Sequence, residues 1–253
     1  MRSDEYFIPD MRRCALEYLW NMLPTSLNYH QRVPTFVQGC YSGDPILFYK
    51  PHVVLSLVAL AKQHRLMVIL PLLCYYIAQW PVDWITDGVP AASMGFDLPP
   101  NDSPSRLPRS LVIIILAGRE KLIRMRETKV FNFMEAFTLS GTTVDVPIEG
   151  CDGKERPETG ETCFHWLMRV WFYMGCLGLI ACPAALDIMN MGQWTELKKY
   201  CCEACAKMVI EHMLTGRDAV WDALPSVFGY CDWAYVIEQQ KNTEERFETE
   251  SSY

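Results

Sequence analysis

The sequence has no surplus of positive charge. Its 23 Lys and Arg stand against 30 Asp and Glu, a net charge of −7 at neutral pH, so no general field draws the chain to nucleic-acid phosphates or anionic lipid. Long apolar stretches are also lacking. Residues 170–186 carry no charge over 17 positions, short of the roughly 20 needed to cross a hydrocarbon core, and contain Gly175 and Pro183 between Arg169 and Asp187. A buried helix pair is expected there rather than a membrane span. Residues 53–78 are interrupted by Lys62, Gln63, His64 and Arg65, so they make an even poorer span. Met-Arg-Ser-Asp-Glu at the start lacks the apolar run of a signal peptide. There is almost no strand alternation, no heptad array and no internal repeat, which excludes β and long coiled-coil architectures. Gly-x-x-x-x-Gly-Lys-Ser/Thr, Gly-x-Gly-x-x-Gly after a strand, Gly-x-Ser-x-Gly and His-Glu-x-x-His are all missing. A binding or structural protein is therefore expected over an enzyme of a familiar type.

The chain does have 11 Cys and 8 Trp among 253 residues, half of them apolar. That composition suits one large globular domain or two small ones. An odd cysteine count without a secretory leader points to reduced thiols, in the cytoplasm or nucleus, available for packing, metal binding or redox chemistry.

Helical periodicity recurs along the chain. Asp10 caps a first segment, 10–23, with Ala15, Tyr18, Leu19 and Met22 on one face and Pro24 as its stop. Pro51 opens a second, and Pro71 starts a third that runs through Tyr76. Residues 81–108 read as a linker or surface loop, with Pro90, Pro99, Pro100, Pro104 and Pro108. A long helix from Ser110 to about Phe137 follows. Its cations Arg119, Lys121, Arg124, Arg126 and Lys129 alternate with Glu120 and Glu127 as on a solvated face. Turn-rich 139–162 offers one short strand at 143–148. Helices are then expected over 164–191, broken near Pro183, over 194–214 and over 217–228. From 238 onward, five Glu against Lys241 and Arg246 suggest a disordered acidic tail.

The cysteines give the most specific chemical signal. Cys202 and Cys205 form a Cys-x-x-Cys pair inside an expected helix, where a spacing of three places both thiols on one face. Cys151 and Cys163 flank a turn-rich loop able to bring two more sulfurs together. Four such ligands would make a closed tetrahedral zinc site stapling the loop to the later helix. The competing reading is plain burial, because Cys201, Cys205 and Met208 also fit a core stripe. A thioredoxin-like role for Cys202 and Cys205 lacks its preceding strand. Cys163 and His165 are too close in sequence to face each other as nucleophile and base. His212, seven residues after Cys205, is a polar-edge histidine or a spare ligand. Cys14 and Cys74 fall on helices that would bury them, Cys176 and Cys182 lie in the uncharged run, and Cys40, Cys201 and Cys231 have no assigned task.

Several segments, in order, resemble the C-terminal region of the BTB/POZ domain proteins of mushroom-forming fungi. They are Arg-Arg-Cys-Ala-Leu-Glu-Tyr-Leu-Trp and Leu-Pro-Thr-Ser-Leu within 12–27, and Val-Leu-Ser-Leu-Val-Ala-Leu-Ala-Lys-Gln-His-Arg-Leu with Ile-Leu-Pro-Leu-Leu-Cys-Tyr-Tyr within 54–76. Leu-Ala-Gly-Arg-Glu-Lys-Leu at 116–122, Cys202-x-x-Cys205 and Val-Trp-Asp-Ala-Leu-Pro-Ser-Val-Phe-Gly at 220–229 follow. The resemblance covers 10–233 and implies a protein-interaction module without catalysis. In such proteins an N-terminal BTB domain self-associates and can recruit a cullin-type ubiquitin-ligase scaffold. Here only the last BTB helix, 10–23, has a counterpart, so neither activity carries over unless a BTB core lies upstream. The family's cysteines match Cys151, Cys163, Cys202 and Cys205, which strengthens the zinc reading.

The expected protein is thus an all-α helical domain with long irregular loops and a candidate structural zinc site. Residues 1–30 would hold the BTB remnant and connector, 31–237 the post-BTB domain and 238–253 the tail. Its partners would be unidentified proteins, with no nucleic acid and no membrane. The alternatives are an integral membrane protein spanning at 170–186, and a redox or hydrolytic enzyme using Cys202 or Cys163.

Overall fold

The structure, a computed structural model, describes residues 27, 51–90, 106–133, 150–155, 160–178, 180–186 and 197–250. The helix expected at 10–23 and the strand expected at 143–148 lie outside these residues. Those described are helical, turn or irregular, with no strand among them. The all-α expectation holds.

Pro51 supplies the fixed φ that suits a first helical turn. It opens α1 (Pro51–Gln63), whose Val54, Leu55, Val58 and Ala61 recur on one buried face. The polar break ends α1, with Arg65 in left-handed backbone at φ 53°. A 3-10 turn (Met67–Ile69) leads into α2 (Leu70–Ala78), which carries Pro71 in its first turn. Every α2 residue except Tyr76 is buried, as befits a helix surrounded by others. Within the expected linker, 82–86 form a short helix, α3 (Val82–Thr86).

α4 (Arg109–Met125) continues into a π-helical turn (Arg126–Val130). Its buried stripe is Leu111, Ile115, Gly118 and Leu122. After α5 (Cys163–Cys176) come α6 (Glu203–Val227) and α7 (Trp233–Glu250). Helices α2, α4 and α6 pack on one another, and the π-helical turn lies along α6. Tyr75, Leu72, Leu73, Ile77, Leu111, Ile115, Leu122 and Phe228 are the large, fully buried side chains at their junction. Each such side chain stabilises the fold by about 1.5–3 kcal/mol through its removal from water. Gly216 allows the closest approach: a Cβ there would stand 2.7 Å from Val130 Cα and closer still to the Lys129 carbonyl.

Four expectations need correction. The uncharged stretch 170–186 is not a helix pair. α5 ends at Cys176, Gly178 turns the chain at φ +68°, and the following segment folds back as irregular, buried chain. There the Leu186 amide donates to Tyr75 Oη at 3.1 Å, and the Arg126 guanidinium donates to the Ala184 carbonyl. No described helix is long and apolar enough to cross a membrane.

The two helices expected over 194–214 and 217–228 are also divided elsewhere. A break at 201–202 precedes one continuous α6, in which Gly216 is an interior residue.

The cations of α4 do not all face solvent. Arg119 donates to the carbonyls of Ala78, the last residue of α2, and of Trp80 just beyond it (3.0 Å to Trp80), and Lys121 Nζ donates to Val227 O at the end of α6, 3.4 Å away. Cations near helix C-termini satisfy carbonyls that have no partner in the helix. Arg126 is buried, its Cζ 5.1 Å from the Phe131 ring centroid. Arg124, paired with Glu120 at 3.3 Å, Lys129 and the body of Lys121 keep the exposed character expected of the face.

Finally, the acidic stretch from 238 continues α7 through Glu250 instead of fraying. Asp232 Oδ1 accepts the Tyr235 amide at 2.7 Å, and Val236 and Gln240 are buried. A capped, anchored first turn removes the cost of nucleation, and Glu and Gln then propagate the helix readily.

Candidate metal centre

Three segments deliver the four predicted thiols to one place. Cys151 sits in a turn between Gly150 and Gly153, both with positive φ (+84° and +64°), a conformation that favours glycine. The Asp152 carboxylate accepts the Lys154 amide at 3.1 Å and closes this turn. Cys163 is the first residue of α5, whose N-cap Thr162 accepts the His165 amide through its hydroxyl. Cys202 is not inside a helix, as its spacing suggested. It is the N-cap of α6, with extended backbone (φ −65°, ψ 161°), and its sulfur accepts the Cys205 amide at 3.5 Å.

The sulfurs of Cys151, Cys163, Cys202 and Cys205 all lie within 4.8 Å of one another. Ligand sulfurs around a tetrahedral zinc, with Zn–S near 2.3 Å, are about 3.8 Å apart, so the group needs to close by no more than about 1 Å. His212 is not a member of this group. Cys163 and His165 do not act together either: the Cys163 sulfur accepts the Cys202 amide at 3.1 Å, while His165 Nδ1 lies 3.1 Å from the Thr162 hydroxyl.

The surroundings favour negative sulfur. Two helices begin at the cluster, and the partial positive charge of each N-terminus lies beside a ligand. Backbone amides of Gly153, Cys202 and Cys205 hydrogen-bond to the sulfurs of Cys151, Cys163 and Cys202 respectively. Burial pushes the Cys202 thiol up. The Cys205 amide and the thiols of Cys205, Cys151 and Cys163 outweigh it and bring Cys202 down to about 7. Cys205 is held well above the ordinary thiol range, first by burial and then by sharing hydrogen bonds with Cys151 and Cys202. Burial likewise raises Cys151. Lowering at Cys202 beside raising at Cys151 and Cys205 is the pattern of adjacent thiols that share hydrogen bonds, since neighbouring negative charges repel. Cys74 behaves differently: it is fully buried, and burial drives its thiol up to about 12 against the opposing charge of Lys62. It is a packing cysteine, as expected.

All-sulfur donors suit a soft ion, zinc or iron, and four ligands leave no open position for a substrate. The spacing picked out the four cysteines that meet here but missed the groups that orient them. Gly153, two residues after Cys151, was the readable sign of a turn that points an amide at that sulfur. The extended Cys202 carried no such sign, because cysteine is not a usual N-cap residue. Comparisons of the chain with protein-family models, with curated proteins and with solved structures each found no match.

Proposed function

We propose that this chain is a non-catalytic protein-interaction module held together by a structural zinc ion at Cys151, Cys163, Cys202 and Cys205, and that it corresponds to the region following the BTB domain in fungal BTB/POZ adaptors. The observation that carries the metal reading is the convergence of four sulfurs within 4.8 Å from three separate segments. A closed thiolate set is the form of a structural zinc site, whereas a catalytic zinc keeps a position for water or substrate. The ion would tie the 150–155 turn and the starts of α5 and α6 together, so its binding energy would contribute to folding. Such thiols stay reduced in the cytoplasm or nucleus.

Elemental analysis of the purified chain should find about one zinc per molecule, lost in Cys202→Ser together with the part of the helical circular dichroism that α5 contributes. Full-length, folded protein with no metal would refute the reading, and one iron per chain, visible by its thiolate absorption, would change the ion. The adaptor reading is tested in the transcript. A BTB core in frame upstream of Met1 supports it and admits the ubiquitin-ligase scaffold as a partner. A transcript without that core removes that partner.

A further inference from the structure

We propose that Cys202 is a peroxide-reactive residue and Cys205 its resolving partner, and that formation of the Cys202–Cys205 disulfide releases the zinc ion. This rests on the zinc reading above. The four ligands are not equivalent in access: Cys163 and Cys205 are buried, whereas Cys151 and Cys202 are partly open to solvent. Of the two open sulfurs, Cys202 stands at the N-terminus of a long helix and accepts the Cys205 amide, which places it beside Cys205 with one side open to solvent. Its partner is already one turn away on the same chain. Cys202 at the N-cap and Cys205 as the third residue of α6 have their sulfurs within 4.8 Å of each other, so the S–S bond forms by closing that gap. Cys151, on a separate turn, has no such covalent neighbour.

The chemistry balances with hydrogen peroxide as the oxidant. The Cys202 sulfur attacks one peroxide oxygen, the O–O bond breaks, and hydroxide leaves, giving a sulfenic acid. The Cys205 sulfur then attacks the Cys202 sulfur. The S–O bond breaks, a second hydroxide leaves, and the S–S bond forms. The two sulfurs have lost two electrons and peroxide has gained them. Two protons from solvent turn the hydroxides into water. Zinc, left with only Cys151 and Cys163, dissociates, and those two sulfurs take up protons.

The test uses the full chain carrying Cys176→Ser and Cys231→Ser, which removes two exposed thiols remote from the cluster in sequence. Zinc is counted first, peroxide is then added, released metal is read with a chromogenic chelator, and the linkage is assigned from peptide fragment ions. The expected result is release of about one zinc per chain with loss of two thiols, a Cys202–Cys205 linkage, and recovery of zinc binding after a dithiol reductant. A disulfide between any other pair, or Cys202 oxidised to sulfinic acid without a linkage, would overturn the proposal. Zinc that starts at one per chain and stays bound under peroxide sinks this inference alone. A starting content near zero sinks the metal reading, and this inference with it.

Discussion

In the layer formed by α2, α4 and α6, Tyr75, Leu72, Ile115, Leu122 and Phe228 are withdrawn almost entirely from water. On α5 and at its C-cap, by contrast, Phe172, Tyr173 and Leu177 are 67%, 63% and 53% exposed. The extensive helix packings fall among α1, α2, α3, α4, α6 and α7 and do not include α5. Trp166 and Leu167 do reach the core, and Trp166 stacks on Tyr200 with ring centroids 5.3 Å apart, but the first residue of α5 is a cluster cysteine. The layer is ordered by burial. The thiol corner brings the 150–155 turn and the start of α5 to the start of α6, a helix that the layer already holds. On the zinc reading proposed above, a single chain combines a burial-stabilised body with a metal-stabilised corner, each open to separate attack.

Metal removal should break this contrast most strongly. Structural zinc binding is worth on the order of 10 kcal/mol in small domains. A strong chelator should therefore raise hydrogen exchange in 163–176 and 202–209 by more than about tenfold while amides of α2 and α4 stay within about twofold. Equal loss in both regions would show that the corner and the layer are one cooperative unit.

Gly216→Ala attacks the layer instead. The added methyl meets the backbone of Lys129 and Val130, which cannot swing aside as a side chain tip would, so a loss of about 3 kcal/mol is expected. Denaturant unfolding should show it even with zinc saturating, and an unchanged midpoint would mean that the π-helical turn yields freely.

The smallest effect is a pH dependence of the metal-free chain. Cys202 falls from an ordinary 9.0 to about 7 in the folded state, so its thiolate stabilises the fold fully above pH 9, less as pH falls, and not at all below about 7. The urea midpoint should rise from pH 7 to 9, and Cys202→Ser should flatten that rise. Because Cys202 is partly open to solvent, the slope should be shallow. A midpoint that falls over this interval would show that a group other than Cys202 governs it.

Much of the fold was readable because helices leave a periodic trace. The starts at Pro51 and Pro71 follow from the fixed φ of proline, and the break after Lys62 follows from a polar cluster. The boundaries of 170–186 and 194–228 were not readable. Gly178 rather than Pro183 ends α5, and Gly216, a nominal helix breaker, is interior to α6 because the Lys129–Val130 backbone occupies the space a side chain would need. Pro225 shows the same limit. It has no amide to offer the Trp221 carbonyl, and the indole Nε1 of Trp233 donates to that carbonyl at 2.7 Å. The stacking of Trp221 on Trp233, centroids 5.1 Å apart, brings the donor there. Nothing in a local pattern reports a partner twelve residues away in another helix. At the cluster, residue type and spacing picked out all four sulfurs, but the amides that orient them depend on where each helix begins.

The amino-acid sequence by itself determined that this chain is helical, which faces of its helices are apolar, and which four cysteines are candidates for a metal. These properties follow from side-chain chemistry and a 3.6-residue period, both local. Tertiary structure decided that Arg119 and Lys121 end other helices, that the acidic tail winds onward as α7, and that Cys151 meets Cys163, Cys202 and Cys205. Each of these outcomes depends on groups far apart in the chain approaching within hydrogen-bonding or coordination distance, and that approach exists only once the apolar layer has closed.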